Sequence, residues 1–206
     1  MKHMKIFGLC LLGAVAAMAL LGVGTASATK LCTENKSPCP AGSTIKTGSA
    51  IKAQLVAGTK SVFTTSILTV ECSESTIEGK TTSEGGGAGV AVKGEITAVV
   101  WSKCQTPGGG ACTASPLGLP WLSEVTGTGG NGTMTVNKAA GKFSCGVTCE
   151  YEASSVATSV TGGSPAVIKA SKASFNKKGG IFCPATATWS SEYEITTPKP
   201  VFVVSA

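Results

Sequence analysis

The feature that most limits what this chain can fold into is an export signal followed by eight of its nine cysteines. Residues 1–5 carry two lysines, residues 6–23 are apolar and uncharged, and small residues then lead to Ala26-Ser27-Ala28. This order is typical of a secretory signal peptide. We expect residues 1–28 to form a helical signal that is cleaved after Ala28. An uncleaved anchor is the alternative, because the apolar stretch is about long enough to span a bilayer.

The charged residues of the remaining chain exclude many functions. All of its basic residues are Lys and all of its acidic residues are Glu, while the single histidine, His3, lies in the signal. Without histidine there is no imidazole base, no His metal ligand and no Ser-His-Asp triad. Without Arg there is no bidentate reader of phosphate or guanine. We therefore expect neither an enzyme with a cofactor or metal nor a nucleic-acid-binding protein.

The cysteines predict disulfides. They are even in number in a chain expected to enter an oxidising compartment, and Cys32-x6-Cys39 and Cys104-x7-Cys112 lack the close spacing of zinc knuckles. Eight cysteines allow 105 pairings. Turn residues in short loops favour local bonds, although Cys145 and Cys149 would need a turn at Gly146 in order to meet. The expected pairs are Cys32–Cys39, Cys104–Cys112, Cys145–Cys149 and, by remainder, Cys72–Cys183.

Local patterns in residues 29–206 are those of strands and turns. Trp189, Ser191, Tyr193 and Ile195 alternate with more polar residues, and glycine-rich turns separate such stretches. We predict a single all-β domain of about nine to twelve short strands, with residues 29–49 as a lead-in held by its own disulfide. The expected fold is an antiparallel β-sandwich, with a β-barrel as the alternative.

Two groups of residues are candidates for a site. Glu150 and Glu152, like Glu192 and Glu194, project from one strand face about 7 Å apart, which suits two carboxylates acting on a glycoside. Exposed charges on half-buried strands are the favoured interpretation of these four residues.

Trp121, which follows a Leu-Pro step, and Trp101 could instead stack on sugar rings of an extracellular glycan. Packing in the core is the favoured interpretation of both, because the chain has few aromatic residues to fill a core.

The chain also resembles a known group of proteins. The residues that carry the resemblance are 69–76 (TVECSEST), Leu119-Pro120-Trp121, Cys145-x3-Cys149-x-Tyr151, 161–166 (TGGSPA), and Cys183 with Trp189 and Tyr193. They are similar to a family of uncharacterised secreted, cysteine-containing β proteins of soil actinobacteria. The resemblance implies export and a shared disulfide-braced β scaffold, and it assigns no residue a role.

Together these features predict a secreted, non-enzymatic protein that binds an extracellular partner or forms part of the cell envelope or matrix. No membrane span is expected once the signal is removed. A glycoside hydrolase that uses the Glu pairs, or a carrier of a small ligand, is the alternative.

Overall fold

The computed structural model describes residues 28–206, so the predicted signal peptide lies outside the described residues apart from Ala28. The described chain is almost entirely β-structure, with one 3-10 turn at Ala41–Ser43. None of these residues belongs to a helix of the length and hydrophobicity that a membrane crossing needs. The strands are β1 (Thr29–Cys32), β2 (Ala50–Leu55), β3 (Ser61–Thr64), β4 (Thr69–Thr81), β5 (Val92–Gln105), β6 (Ala111–Leu117), β7 (Trp121–Thr128), β8 (Asn131–Ser144), β9 (Thr148–Thr161), β10 (Val167–Gly179), β11 (Thr186–Thr197) and β12 (Phe202–Ser205).

The alternation in the sequence produces these strands. In β9, Cys149, Tyr151 and Ala153 are buried, whereas Glu152 between them is exposed. Successive side chains of a strand point to opposite faces, so such a strand has one inner and one outer face. Strands of this kind make up nearly all of the described chain, so the predicted all-β class is confirmed.

The ten strands from β2 to β11 form a closed barrel. The wall of this barrel has eight strand positions, and we call each of them a wall position. Strands β2 and β3 together occupy one wall position, because both pair with β4 on one side and with β11 on the other. Strands β6 and β7 share a second position between β5 and β8 in the same way. The remaining pairs of the wall, β4–β5, β8–β9, β9–β10 and β10–β11, join strands that follow each other in sequence. All pairs in the wall are antiparallel. The result is an eight-position, up-and-down β-barrel.

The expected β-sandwich is therefore wrong, and the barrel alternative is correct. A sandwich needs two sheets with separate edges. Here the last wall strand pairs with the first, since Tyr193 lies opposite Leu55 and Trp189 lies opposite Phe63. This pairing removes both edges, and it joins residues more than 120 positions apart in the chain.

One end of the barrel, which we call the terminal end, is covered by the two ends of the described chain. Strand β1 pairs with β12, from Thr29 opposite Ser205 to Cys32 opposite Phe202. Isolated bridges from Gly130 to Val203 and from Gly163 to Val201 attach this small sheet to the barrel loops. The fully buried Val203 shows that the pair acts as a plug.

Three of the four disulfides lie at or near the opposite end, which we call the disulfide end. Its loops, residues 65–68, 106–110, 145–147 and 180–185, contain no charged residue. Ile67, Ile181 and Phe182 are exposed there by 66%, 91% and 77%. The loops of this end therefore form an uncharged surface next to three disulfides.

All eight cysteines of the described chain are disulfide-bonded, and one of the expected pairs is confirmed, Cys32–Cys39. The other three are wrong. The observed bonds are Cys72–Cys104, Cys112–Cys145 and Cys149–Cys183.

The reason lies in the strand register. Cys104 has Cys72 opposite it on one side and Cys112 on the other, and the bond forms with Cys72 on β4. Cys149 lies opposite Phe143 rather than Cys145, so the turn between them does not bring the two sulfurs together. Bonds across neighbouring strands thus replace bonds within short loops.

Candidate functional site

The interior of the barrel divides into two parts. At the disulfide end it is filled with aromatic rings, among which Phe63 stacks on Phe143 with centroids 4.1 Å apart. Tyr151 and Phe175 pack around Phe63 at 5.7 and 5.3 Å. Rings at these separations leave little space between them. A void of only about 20 Å³ borders these rings, and the larger cavities lie further towards the terminal end.

An apolar cavity of about 90 Å³ lies in the lumen towards the terminal end. Each of the eight wall positions contributes a side chain to it, and Leu31 and Val201 close it at the plug. The wall residues are Ile51, Ile77, Ile96, Val125, Met134, Val160, Ile168 and Ile195. These eight aliphatic or thioether side chains offer contacts for an apolar molecule, and the more polar residues Lys80, Thr81, Lys93, Glu95 and Ser123 also border the space.

A smaller cavity of about 40 Å³ occupies the middle of the lumen. It shares Ile77, Ile96, Met134 and Ile168 with the first cavity, so these four side chains separate the two spaces. Trp101, Trp121, Trp189 and Tyr193 are also part of its wall. We call the two spaces the upper cavity, next to the plug, and the central cavity. Methionine is unbranched and flexible, so movement of Met134 would connect them.

The polar groups of the lumen are mostly paired with one another. The hydroxyls of Ser75 and Tyr193 are 2.8 Å apart, and Trp189 donates its indole N–H to Ser61 Oγ at 2.9 Å. Thr158 donates to the carbonyl of Met134 at 3.0 Å. Ser191 Oγ differs from these groups, because it is buried without a hydrogen-bond partner in the described part of the chain.

The two tryptophans singled out by the sequence face this interior. Trp121 is only 7% exposed, and its indole N–H donates to the carbonyl of Leu117 at 2.8 Å. Trp101 is half-buried and lies 6.0 Å, centroid to centroid, from Phe143. Both therefore border the central cavity rather than form an open outer platform.

The four glutamates lie on the outer wall. Glu150 and Glu152 are on β9 and Glu192 and Glu194 on β11, with β10 between them. Each has a partner: Lys142, Lys178, Lys169 and Gln54, respectively. The Lys178 ammonium donates to Glu152 at 2.7 Å, and this hydrogen bond raises the pKa of Lys178. The arrangement is that of cross-strand charge pairs on a solvated face.

A polar cleft of about 280 Å³ opens on the outer wall where β2 and β3 are interrupted. Ser73, Glu74 and Ser75 on β4 have no register partner on that side, because residues 56–60 leave the sheet. Lys103 donates a hydrogen bond to Glu74 and holds the pKa of that carboxyl below its usual value. The cleft therefore presents an ionised carboxylate rather than a proton donor.

The sequence analysis did not identify the lumen cavities. Their aliphatic residues obey the same alternation as any core residue, so no local signal separates a wall of a cavity from a filled core. Only the unusual inward serine at position 191, between two aromatic residues of the same face, could have been noticed. Among residues 28–206, no three Cys, His, Asp or Glu side chains are grouped as metal ligands would be.

Comparison with known proteins gives no match to a family model, to a curated protein or to a solved structure. The resemblance to secreted proteins of soil actinobacteria therefore stays a prediction.

Proposed function

We propose that this protein is an exported, non-enzymatic binding protein whose barrel lumen holds a small, largely apolar molecule. The observation that carries the proposal is the upper cavity, which is lined by one apolar side chain from each of the eight wall positions. Eight-stranded barrels are just wide enough either to be filled by side chains or to hold one small ligand.

The size of the cavities limits the ligand. An engineered apolar cavity of about 150 Å³ stays dry and binds benzene. The upper and central cavities, of about 90 and 40 Å³, lie side by side and together are slightly smaller than that, so a ligand of at most about six non-hydrogen atoms is the expected size. A molecule this small gains at most about 1.5 kcal/mol per atom, and typical values are lower. We expect dissociation constants between about 1 µM and 1 mM.

Export and the absence of catalysis are parts of the same proposal. Four disulfides support an oxidising compartment, because thiols stay reduced in the cytosol. The chain after residue 28 contains no histidine, and the four glutamates considered for glycoside hydrolysis each have a lysine or glutamine partner. Binding of a glycan through Trp121 is less well supported, since that ring is buried.

The test is a titration of residues 29–206 with benzene, in which NMR measures the chemical shifts of the isoleucine methyl groups at each benzene concentration. Shifts should be confined to the five isoleucines that line the upper cavity, Ile51, Ile77, Ile96, Ile168 and Ile195. No shift at saturating benzene, or shifts restricted to exposed residues such as Ile181, would overturn the proposal.

A matched pair of variants tests the location. Ala53 is buried and lines the upper cavity, whereas Ala157 is exposed on the outer face of β9. Ala53→Leu should weaken benzene binding at least tenfold because the added carbons occupy the ligand space, and Ala157→Leu should leave it unchanged. Val160→Leu, a smaller filling change at the same cavity, provides a second variant if Ala53→Leu does not fold.

A further inference from the structure

The lumen is closed at both ends of the barrel. The β1–β12 plug covers the terminal end, where Leu31 and Val203 are buried. At the disulfide end, the packed rings of Phe63, Phe143 and Tyr151 border a void of only about 20 Å³. A molecule that reached the two cavities from either end would have to displace the plug or these rings. A path through the wall of the barrel avoids both obstacles.

The ladder between β9 and β10 is interrupted in its middle. Partners are found on both sides of the interruption, Ser159 with Lys169 and Glu152 with Asn176. Between them, residues 153–158 of β9 and 170–175 of β10 have no register partner across this boundary. We call these two segments the side seam. The β8–β9 ladder next to it lacks a partner only for Lys138 along the whole of its paired length.

A bulge in β10 accompanies the interruption. Between Ala170 and Ala173, β10 has one residue more than β11 opposite it. Lys172, inside this bulge, has a φ of 49°, and left-handed backbone of this kind is uncommon for a residue other than glycine. Its N–H donates to Ser190 Oγ at 2.9 Å, which is a side-chain oxygen rather than a backbone carbonyl. A β-bulge disrupts the ladder locally and bends its strand.

The central cavity lies directly behind the side seam. Val156 and Thr158 on β9 and Ala170 on β10 belong both to the seam and to the cavity wall. Apart from Lys172, the exposed side chains of the seam are those of serine and alanine. These small residues are Ser154, Ser155, Ala157, Ser171 and Ser174. Little side-chain bulk therefore stands between solvent and the central cavity at this part of the wall.

Two other interruptions of the wall are obstructed. Residues 97–103 of β5 have no register partner in β6 or β7, but Trp101 and Trp121 line the central cavity there. Passage at that place would require two indole rings to move. The gap between β2 and β3 is spanned on its inner side by the hydrogen bond between Ser75 and Tyr193. The side seam has neither kind of obstacle.

We infer that the ligand enters and leaves the lumen sideways, through the side seam, and not through either end of the barrel. This inference rests on the proposed function, because it gives the route to the same cavities. Neighbouring strands lie about 4.7–4.9 Å apart, so a molecule passes between them only when they separate. Separation is easiest where the ladder is already interrupted, since each ladder hydrogen bond that must break adds to the cost.

The experiment closes the side seam with a disulfide and follows the exchange of benzene. Ala157 and Ser171 are both exposed, and they lie opposite each other when the flanking register is continued across the seam. In oxidised Ala157→Cys/Ser171→Cys, the dissociation rate of benzene should fall at least about tenfold, measured by NMR exchange at the isoleucine methyl groups. The dissociation constant should stay within about twofold, because the bond lies on the outer face and slows entry and exit alike.

Two further variants complete the test. Ser154→Cys/Ser174→Cys closes the other half of the seam, and it replaces the first variant if peptide mapping shows mispairing with a native cysteine. The control is Thr126→Cys/Thr133→Cys, a pair of exposed register partners in the uninterrupted β7–β8 ladder. The control bond should leave the rate and the dissociation constant unchanged within about twofold.

The outcomes separate this inference from the proposed function. If benzene binds and closing the seam leaves its dissociation rate unchanged, the inference is overturned and the proposed function stands. If the control bond slows dissociation as much as the seam bond, the assignment of the route to the seam is wrong. If benzene does not bind the wild type, the proposed function fails, and the inference fails with it.

Discussion

The hydroxyls of Tyr193 and Ser75 are 2.8 Å apart inside the barrel, and they connect two strands that are not neighbours in its wall. Tyr193 is on β11 and Ser75 on β4, with the β2–β3 position between them. The bond lies where that position is interrupted, since Ser75 has no register partner on that side. Both residues are buried, at 1% and 4% exposure, so the bond replaces part of a missing strand contact.

Removing one hydroxyl of this pair should cost more than removing both. Tyr193→Phe leaves Ser75 buried without a partner, and we expect it to lower the free energy of unfolding by about 1–3 kcal/mol. Ser75→Ala should cost less in the Tyr193→Phe background than in the wild type. Urea denaturation of the four proteins of this double-mutant cycle provides the measurement. Additivity within about 0.5 kcal/mol would show that the two hydroxyls are not coupled.

The disulfides should differ in their effect on stability. Cys72–Cys104 closes a loop with a sequence separation of 32, against 7 for Cys32–Cys39. The chain-entropy relation gives about 3.7 and 2.4 kcal/mol for the two bonds. Guanidinium denaturation of Cys72→Ala/Cys104→Ala and of Cys32→Ala/Cys39→Ala should therefore show the larger loss for the first. The opposite order would mean that the bond at the plug does more than close a loop.

Trp121 should behave as a core residue. Trp121→Ala removes a buried ring and its hydrogen bond to Leu117, and we expect a loss of about 3–5 kcal/mol in the free energy of unfolding. Trp101→Ala should cost less, because Trp101 is half-buried. If Trp121→Ala left stability intact but abolished quenching of tryptophan fluorescence by oligosaccharides, the surface-binding interpretation from the sequence would be supported instead.

Stability should fall at high pH because of Tyr151. Burial raises the pKa of its phenol, whose O–H donates to the carbonyl of Pro184 at 3.1 Å. A raised pKa in the folded state means that the stabilisation is complete below the ordinary tyrosine pKa of about 10 and is lost as pH rises towards the folded value.

Denaturation at a series of alkaline pH values tests this expectation. Tyr151→Phe should be less sensitive to pH in that window than the wild type. Near-ultraviolet absorbance titration should place one tyrosine above the ordinary range. Equal pH dependence of the wild type and Tyr151→Phe would contradict the assignment.

Substitution by serine should affect stability very differently at two phenylalanines of the β10–β11 region. Phe182 is 77% exposed in the loop at the disulfide end, and Phe182→Ser should alter the free energy of unfolding by less than about 0.5 kcal/mol. Phe175 is 5% exposed and packs on Phe63, so Phe175→Ser should cost at least about 3 kcal/mol. A large loss for Phe182→Ser would indicate that the uncharged end contributes to folding.

The strands themselves could be predicted from the sequence, but their closure could not. Alternation of the type seen at Trp189, Tyr193 and Ile195 identifies an inner face whether the wall belongs to a sandwich or to a barrel. The deciding contact is Tyr193 opposite Leu55, which is set by the summed twist and register of all the strands between them. No short stretch of sequence encodes that sum.

The same limit explains the disulfides and the lumen. Cys32 and Cys39 could be paired from sequence because a short loop brings them together, whereas Cys112 meets Cys145 only because β6 and β8 are neighbours. The upper cavity exists because side chains from all eight wall positions leave part of the lumen unfilled. The alternation within one strand does not show how much space the other strands leave. The burial of Trp121, in contrast, agrees with the interpretation that the sequence favoured.

The pairing of Thr29 with Ser205 makes the two ends of the folded chain depend on each other. Neither end can peel away without leaving its partner strand unpaired, and Val203 and Val204 between them are almost fully buried. Strands β1 and β12 therefore shield each other, and an exopeptidase that removed residues from either strand would first have to open the pairing between them.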